Sequence, residues 1–171
     1  MTTTFPENAM LALSALFFGI MAGFFWTYSF NINLAMLEVS GPVYAQVQSL
    51  FNQNVRHATF FTFFFGSGVV SFIALIVNWR HRTSLAFALL GLAFLVYGLG
   101  IILFTRNVNL PLNYYTESWE LSALPSDWAS IREQWNRANN IRVAMAGTAF
   151  ILSLSALVVR CSFPDRTQRA T

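Results

Sequence analysis

The amino-acid sequence predicts an all-α integral membrane four-helix bundle, with a short surface helix after the first span and a long extramembrane extension leading into the fourth. Of the 171 residues, 56% are hydrophobic and only 10% are charged, whereas about 25% of the residues in a soluble domain are charged. Four stretches carry no Asp, Glu, Lys or Arg: residues 8–37, 57–79, 83–105 and 143–159. These stretches are continuously apolar and do not alternate, which favours helices over the strands of a membrane barrel.

The lengths of these stretches define the spans of a single transmembrane domain, residues 1–171. A helix needs about 20 apolar residues to cross a bilayer. The predicted spans are residues 10–37, 59–79, 84–105 and 141–159. The fourth stretch is the shortest, but Arg142 and Arg160 at its two ends can extend their side chains toward the interfaces.

The connections between the spans differ in length and character. Residues 78–82 form a very short turn between the second and third spans. The third connection, residues 106–140, is long, and nothing in it breaks helical continuity from about Asp127 into the fourth span. We therefore expect one long helix from about Asp127 to Val159.

The first connection predicts a short helix. Ser40-Gly41-Pro42 is typical of a helix start. The side chains that then share one helical face are Val43, Val47, Leu50, Phe51 and Asn54. Such a helix either lies on the membrane surface or packs under the bundle.

The arginines predict the orientation of the chain. An even number of spans puts both termini on one side, together with the turn at residues 78–82. That side carries Arg80, Arg82, Arg160, Arg166 and Arg169 in short flanks. The other side also carries five arginines, over about twice the length. The higher density predicts cytoplasmic termini and a location in the plasma or inner membrane.

Composition and motifs exclude several classes of protein. A net charge of +3 spread over the chain is no basic patch, so we expect no nucleic-acid partner. A Gly-rich phosphate loop, a nucleophile elbow and a His-Glu-x-x-His motif are all absent from the sequence. His57 and His81 stand at opposite ends of the second span, about 36 Å apart along a helix, too far to hold one haem within a subunit. We expect no metal and no cofactor.

Polar side chains concentrate on the membrane side opposite the termini. They include Asn31 in the first span, Asn109 and Asn113 in the third connection, and Trp135, Asn136, Asn139 and Arg142 at the start of the fourth span. Trp135, Asn139 and Arg142 share one helical face. Because an amide in hydrocarbon is costly without a partner, this pattern indicates either interhelical and headgroup hydrogen bonding or a polar pocket at the mouth of the bundle.

Glycines in the spans indicate close helix packing. Gly19 and Gly23 form a small-xxx-small pair, which favours tight contact within the bundle or with a second copy of the chain. The expected partners are therefore membrane lipid, a hydrophobic small molecule in the polar pocket, and a second copy in a homo-oligomer.

Three sequence elements resemble a known family. They are Gly19-x-x-x-Gly23-Phe24 with Tyr28-Ser29-Phe30, then Asn107-Val108-Asn109-x-Pro111-x-Asn113, and then Trp135-Asn136-Arg137 followed by Arg142. Over about residues 11–160 the chain resembles the anthrone oxygenase-like family of small four-span membrane proteins. The resemblance implies the four-span fold. It also implies, for a few members, oxidation of anthrones to anthraquinones with molecular oxygen and without metal or flavin.

Such chemistry needs a base, donors for a developing oxyanion and an apolar pocket. Arg142, Asn109, Asn113 and Asn139 are suitable donors, and Trp135 suits a flat aromatic substrate. His57 is the candidate base on that side of the membrane. An interfacial or capping residue is the alternative interpretation of His57, and it is the one that such a position favours. Two other hypotheses stay open: a non-enzymatic membrane protein whose Asn and Arg side chains are structural or bind lipid or a partner, and a haem or metal oxidoreductase that uses His57.

Overall fold

The structure, a computed structural model, describes residues 4–162. Arg166 and Arg169, which entered the prediction of orientation, lie outside these residues. Within them the chain is helical and contains no strand. The helices are α1 (Phe5–Leu37), α2 (Gly41–Asn54), α3 (Ala58–Val77), α4 (Leu85–Glu117) and α5 (Trp128–Ser162). All except α2 are long and apolar enough to cross a membrane, which confirms the predicted four-helix membrane bundle.

The four spanning helices form a closed bundle. Helix α5 packs against α1 and α4, and α3 completes the arrangement by packing against the same two helices. The core includes Phe18, Phe25, Tyr97 and Ile101, together with small residues of α5 such as Ala146. Small side chains let α5 approach both neighbours closely. At Gly100 of α4, an added Cβ would lie 2.6 Å from Cγ of Met145.

A buried carboxylate joins the N-terminus of α1 to the turn between α3 and α4. One Glu7 oxygen accepts a hydrogen bond from the Thr4 backbone N–H at 2.8 Å, and the other accepts from Arg80 Nε at 3.1 Å. His81 Nε2 lies 3.4 Å from Glu7. These contacts place the N-terminus and the turn at one end, as predicted. They also let helix α1 begin at Phe5, ahead of the predicted span, since Glu7 caps the helix together with Thr4 and is satisfied inside the bundle.

The end of the third span differs from the prediction. Helix α4 continues past residue 105 to Glu117, so only residues 118–127 connect it to α5. Two π-helical segments, Gly98–Leu103 and Thr105–Asn109, lie directly before Pro111. The proline ring would otherwise clash with the carbonyl four residues earlier, and the widened turns accommodate it. The predicted helix from about Asp127 is confirmed, because α5 begins at Trp128.

The surface helix forms as predicted, but its apolar face is not the buried one. Val43, Leu50 and Phe51 are exposed, while the face carrying Tyr44, Gln48 and Asn52 packs into the protein. Three residues separate α2 from α3, so α2 lies at the end of this shortest span. Its exposed apolar face and buried polar face fit a helix at the membrane interface and disfavour one packed by its apolar side under the bundle.

Candidate functional site

Arg142 is buried near the end of the bundle that α2 covers. Only 7% of the residue is exposed. Its guanidinium carbon lies 4.7 Å from the Phe25 ring centroid and 5.4 Å from that of Trp135, distances typical of cation–π contacts. No Asp or Glu among residues 4–162 forms an ion pair with it. Arg142 is therefore a buried cation whose neighbours are aromatic faces and an amide.

Asn139 connects Arg142 to α1. Its side-chain oxygen accepts a hydrogen bond from Arg142 Nη2 at 2.6 Å. Its amide nitrogen donates to Ser29 Oγ at 2.7 Å and to the Phe25 backbone oxygen at 3.2 Å. Ser29 lies in a π-helical segment, Tyr28–Ile32, a distortion common at functional sites. Asn139 fixes the position of the guanidinium relative to α1.

Trp135, one turn before Asn139, connects α5 to α4 and α1. Its indole Nε1 donates to Asn113 Oδ1 at 2.6 Å, and its ring centroid lies 4.6 Å from that of Tyr28. Trp135, Asn139 and Arg142 are buried and Asn113 is half-buried. We call these four residues the arginine cluster.

A chain of side-chain hydrogen bonds joins this cluster to α2. Tyr28 donates to Gln48 Oε1, and Gln48 Nε2 donates to Asn52 Oδ1 at 3.1 Å. Asn52 donates to Thr116 Oγ1 at 3.2 Å, and Thr116 donates to the Asn113 backbone oxygen at 2.9 Å. Asn113 also accepts a hydrogen bond from Trp135, and the Trp135 ring contacts Tyr28, where the chain begins. The contacts therefore form a closed ring. Helix α2 thus covers the arginine cluster through its polar face.

A second contact holds α2 against the start of α5. The Arg132 guanidinium lies 4.9 Å from the Trp128 ring and 5.6 Å from the Tyr44 ring. Burial raises the pKa of the Tyr44 hydroxyl, although nearby Arg132 opposes the shift, so this phenol is neutral at physiological pH. The contact therefore holds α2 against α5 through cation–π attraction, without an ionised partner for Arg132.

Asn109 is fully buried, one helical turn before Asn113 on α4. Neither its amide nitrogen nor its amide oxygen has a hydrogen-bond partner among the described residues. A buried amide without partners is unfavourable. The predicted contact of Asn109 with a substrate stays a prediction.

Three predicted site residues lie apart from the arginine cluster. Asn31 is exposed, and Ser29, two residues earlier, makes the contact with Asn139. Asn136 is half-buried. His57 is exposed at the N-terminus of α3, where its Nδ1 accepts from the Phe60 N–H at 3.4 Å. This is the capping geometry considered for His57 from the sequence, and it leaves the imidazole at the mouth of the bundle.

The arginine cluster, its direct contacts and the hydrogen-bond chain to α2 together form one network. Its members that were not among the predicted site residues are Phe25, Tyr28, Ser29, Gln48, Asn52 and Thr116. Gln48 and Asn52 could have been found from their spacing, since residues four apart on a helix share a face. That signal was hidden by the stronger apolar face of the same helix. Phe25 and Thr116 carry no such signal, because only tertiary packing brings them to the site.

A cleft of about 230 Å³ lies beside the network. Its walls include Ala45, Ser49 and Leu50 of α2 on one side and Thr116, Glu117 and Trp119 on the other. Glu117 is bound through both carboxylate oxygens to Arg56. Thr116 lines the cleft and also belongs to the hydrogen-bond chain, so the cleft directly adjoins that chain.

The described residues contain no group of three or more His, Cys, Asp or Glu side chains placed to hold a metal ion. A family model described as anthrone oxygenase matches residues 51–152, which include α3, α4 and most of α5. Comparison with curated proteins and with solved structures gave no match.

Proposed function

The chain belongs to the anthrone oxygenase family, and from this membership we propose that it acts on a hydrophobic aromatic small molecule by oxygenation with molecular oxygen, without a cofactor. The observation that carries the proposal is Arg142, a buried guanidinium with no carboxylate partner among the described residues. A buried charge is costly unless it is paired. An aromatic substrate that becomes an anion would supply the missing negative charge.

The proposed reaction balances as one anthrone and one O₂ giving one anthraquinone and one water. The methylene carbon loses a proton to a base, and the resulting electron-rich anion transfers one electron to O₂. The two radicals combine into a peroxide anion, which takes the proton back from the protonated base to become a hydroperoxide. The hydroperoxide then loses water to leave the ketone. The protein has to accept the proton, stabilise the anion and exclude water from the ring.

We propose the following roles for the predicted site residues. Arg142 stabilises the oxyanion of the deprotonated substrate, and Asn139 holds the guanidinium in place. Asn109, with two unpartnered amide atoms, and Asn113 offer further polar contacts, and Trp135 offers a ring face. His57 accepts the proton at the mouth of the bundle, which requires the substrate's acidic group to reach the exposed imidazole. Asn31 and Asn136 are outer contacts of the same substrate.

A second candidate function is structural. Arg142, Asn139 and Trp135 already bond to protein groups, as expected of residues that only hold helices together or form a binding site for lipid or a protein partner. The two functions differ in what happens when an anthrone and oxygen are supplied.

Purified protein in detergent is expected to consume one O₂ per anthrone, to release the anthraquinone and to keep this activity after chelation. His57→Asn keeps a good capping residue while removing the base, so it should lower oxygen uptake by about 10²-fold or more without lowering the unfolding temperature. An oxygen electrode and thermal unfolding measure both quantities. Absence of uptake in the unmodified protein refutes the oxygenase, and full activity of His57→Asn refutes the role of His57.

The density of arginines supports cytoplasmic termini in the plasma or inner membrane. The only cysteine, Cys161, is exposed near the end of α5, on the side of the termini. Intact cells should therefore protect Cys161 from a membrane-impermeant thiol reagent, and opened cells should expose it. Equal labelling of intact and opened cells would reverse the proposed orientation.

A further inference from the structure

A cleft lies between α2 and the end of α4, on the side of the arginine cluster where Thr116 and Glu117 stand. Its volume is about 230 Å³, smaller than a complete drug-sized pocket of about 300–1,000 Å³. Space of this size accommodates part of a flat ring system and leaves the remainder in contact with the membrane interface.

The inner side of the cleft reaches the network. Thr116 lines the cleft, is almost fully buried, and binds both Asn52 and the Asn113 backbone. Asn113 in turn accepts from Trp135. Thr116 therefore stands between a molecule in the cleft and Asn113, the member of the arginine cluster on α4.

The outer side of the cleft is apolar and open. Leu50 and Leu121 line the cleft and are both nearly half exposed. Leu50 belongs to the exposed apolar face of α2, which also carries Val43 and Phe51. An apolar rim next to an interfacial helix favours a ligand that arrives from the lipid.

The cleft also holds a charged hydrogen-bond acceptor. Glu117 lines it, and its side chain is 16% exposed. Arg56 binds both oxygens, but an ionised carboxylate offers about four acceptor sites, so Glu117 can accept a further hydroxyl. The indole of Trp119 supplies an aromatic wall on the same side.

We propose that this cleft is the entrance site where a hydroxylated aromatic substrate leaves the lipid, held by a phenolic O–H donating to Glu117 and by ring contact with Trp119. The proposal rests on the proposed function for the identity of the substrate class. It adds Glu117 and Trp119 as residues that determine recognition, separate from those that stabilise the anion.

The test measures binding of two probes, 2-naphthol and naphthalene, to the purified full-length protein in the same detergent. The unmodified protein should bind 2-naphthol at least tenfold more tightly. Glu117→Gln should reduce that preference about tenfold, while Glu133→Gln, at an exposed glutamate, should not. Ser49→Trp fills the cleft and should weaken binding of both probes at least tenfold. Asn54→Trp, at an exposed position on the same helix outside the lining, should leave both unchanged.

Equal binding of the two probes, an unchanged preference in Glu117→Gln, or unchanged affinities in Ser49→Trp would each overturn the proposal. If either variant fails to fold in thermal unfolding, Ser49→Leu and Glu117→Ala replace them and carry the same expectations, because leucine still narrows the cleft and alanine still removes the carboxylate. With an anthrone as substrate, Ser49→Trp should raise KM at least tenfold and leave kcat unchanged. Oxygen uptake with an unaltered KM refutes the entrance site alone, and the predicted binding without any uptake refutes the oxygenase alone.

Discussion

Replacement of Arg142 by methionine is expected to lower kcat for oxidation of an anthrone by about 10²–10³-fold, the usual effect of removing a donor that stabilises an oxyanion. Methionine is long and apolar, so it keeps contact with Phe25 and Trp135 while removing the charge. The fold should survive. Loss of the bond to Asn139 costs about 1–3 kcal/mol, but the variant no longer buries a cation without a counter-ion, and these two effects oppose each other.

Oxygen uptake and thermal unfolding of the same preparation separate the two hypotheses for Arg142. The matched control is Arg137→Met on the same helix. Arg137 is about two-thirds exposed, and its ion pair with Glu133, at 3.7 Å, is also exposed and contributes little to stability. This control should keep both activity and stability. Arg166→Ala, outside the described residues, should do the same. Unfolding of Arg142→Met, or full activity in it, would contradict a role in stabilising the substrate anion.

The sequence could predict the spans because charge is nearly excluded from hydrocarbon, so each uncharged stretch marks a helix directly. It could not predict the end of α4. Arg106 and Pro111 are ordinary signals for the end of a span, and the helix continues only because π-helical turns before Pro111 accommodate the ring. Glu7 shows the same limit at α1, where a charge is retained because Arg80 and His81 surround it.

The site was predictable in part, because helical spacing shows which residues of one helix share a face. Trp135, Asn139 and Arg142 share a face by helical spacing alone, and the structure brings them together with Asn113. The partners on α1 and α2 depend on how these helices pack. For α2 the apolar side chains gave the more visible pattern, yet in a membrane protein the apolar face can turn toward lipid and the polar face toward the core. Periodicity shows that a helix is amphipathic, and the surrounding solvent decides which face is buried.

Gln48→Leu is expected to destabilise the protein by about 2–6 kcal/mol, because Tyr28 and Asn52 each lose a hydrogen-bond partner at a cost of about 1–3 kcal/mol. Gln48 is fully buried. It accepts from Tyr28 and donates to Asn52, and leucine can do neither. Because these bonds hold α2 over the arginine cluster, the loss should appear first as local opening of α2.

Hydrogen exchange of the α2 amides and thermal unfolding in detergent measure this effect. Gln46→Leu is the matched control, since Gln46 is exposed on the same helix and is expected to change stability by no more than about 0.5 kcal/mol. Faster exchange confined to α2 in Gln48→Leu, with the four spans still protected, indicates that α2 is a cover held by side-chain hydrogen bonds. If exchange in α2 matches the unmodified protein, its contact with lipid is sufficient to hold it, and the hydrogen-bond chain from Tyr28 to Thr116 must then serve the site and not the fold.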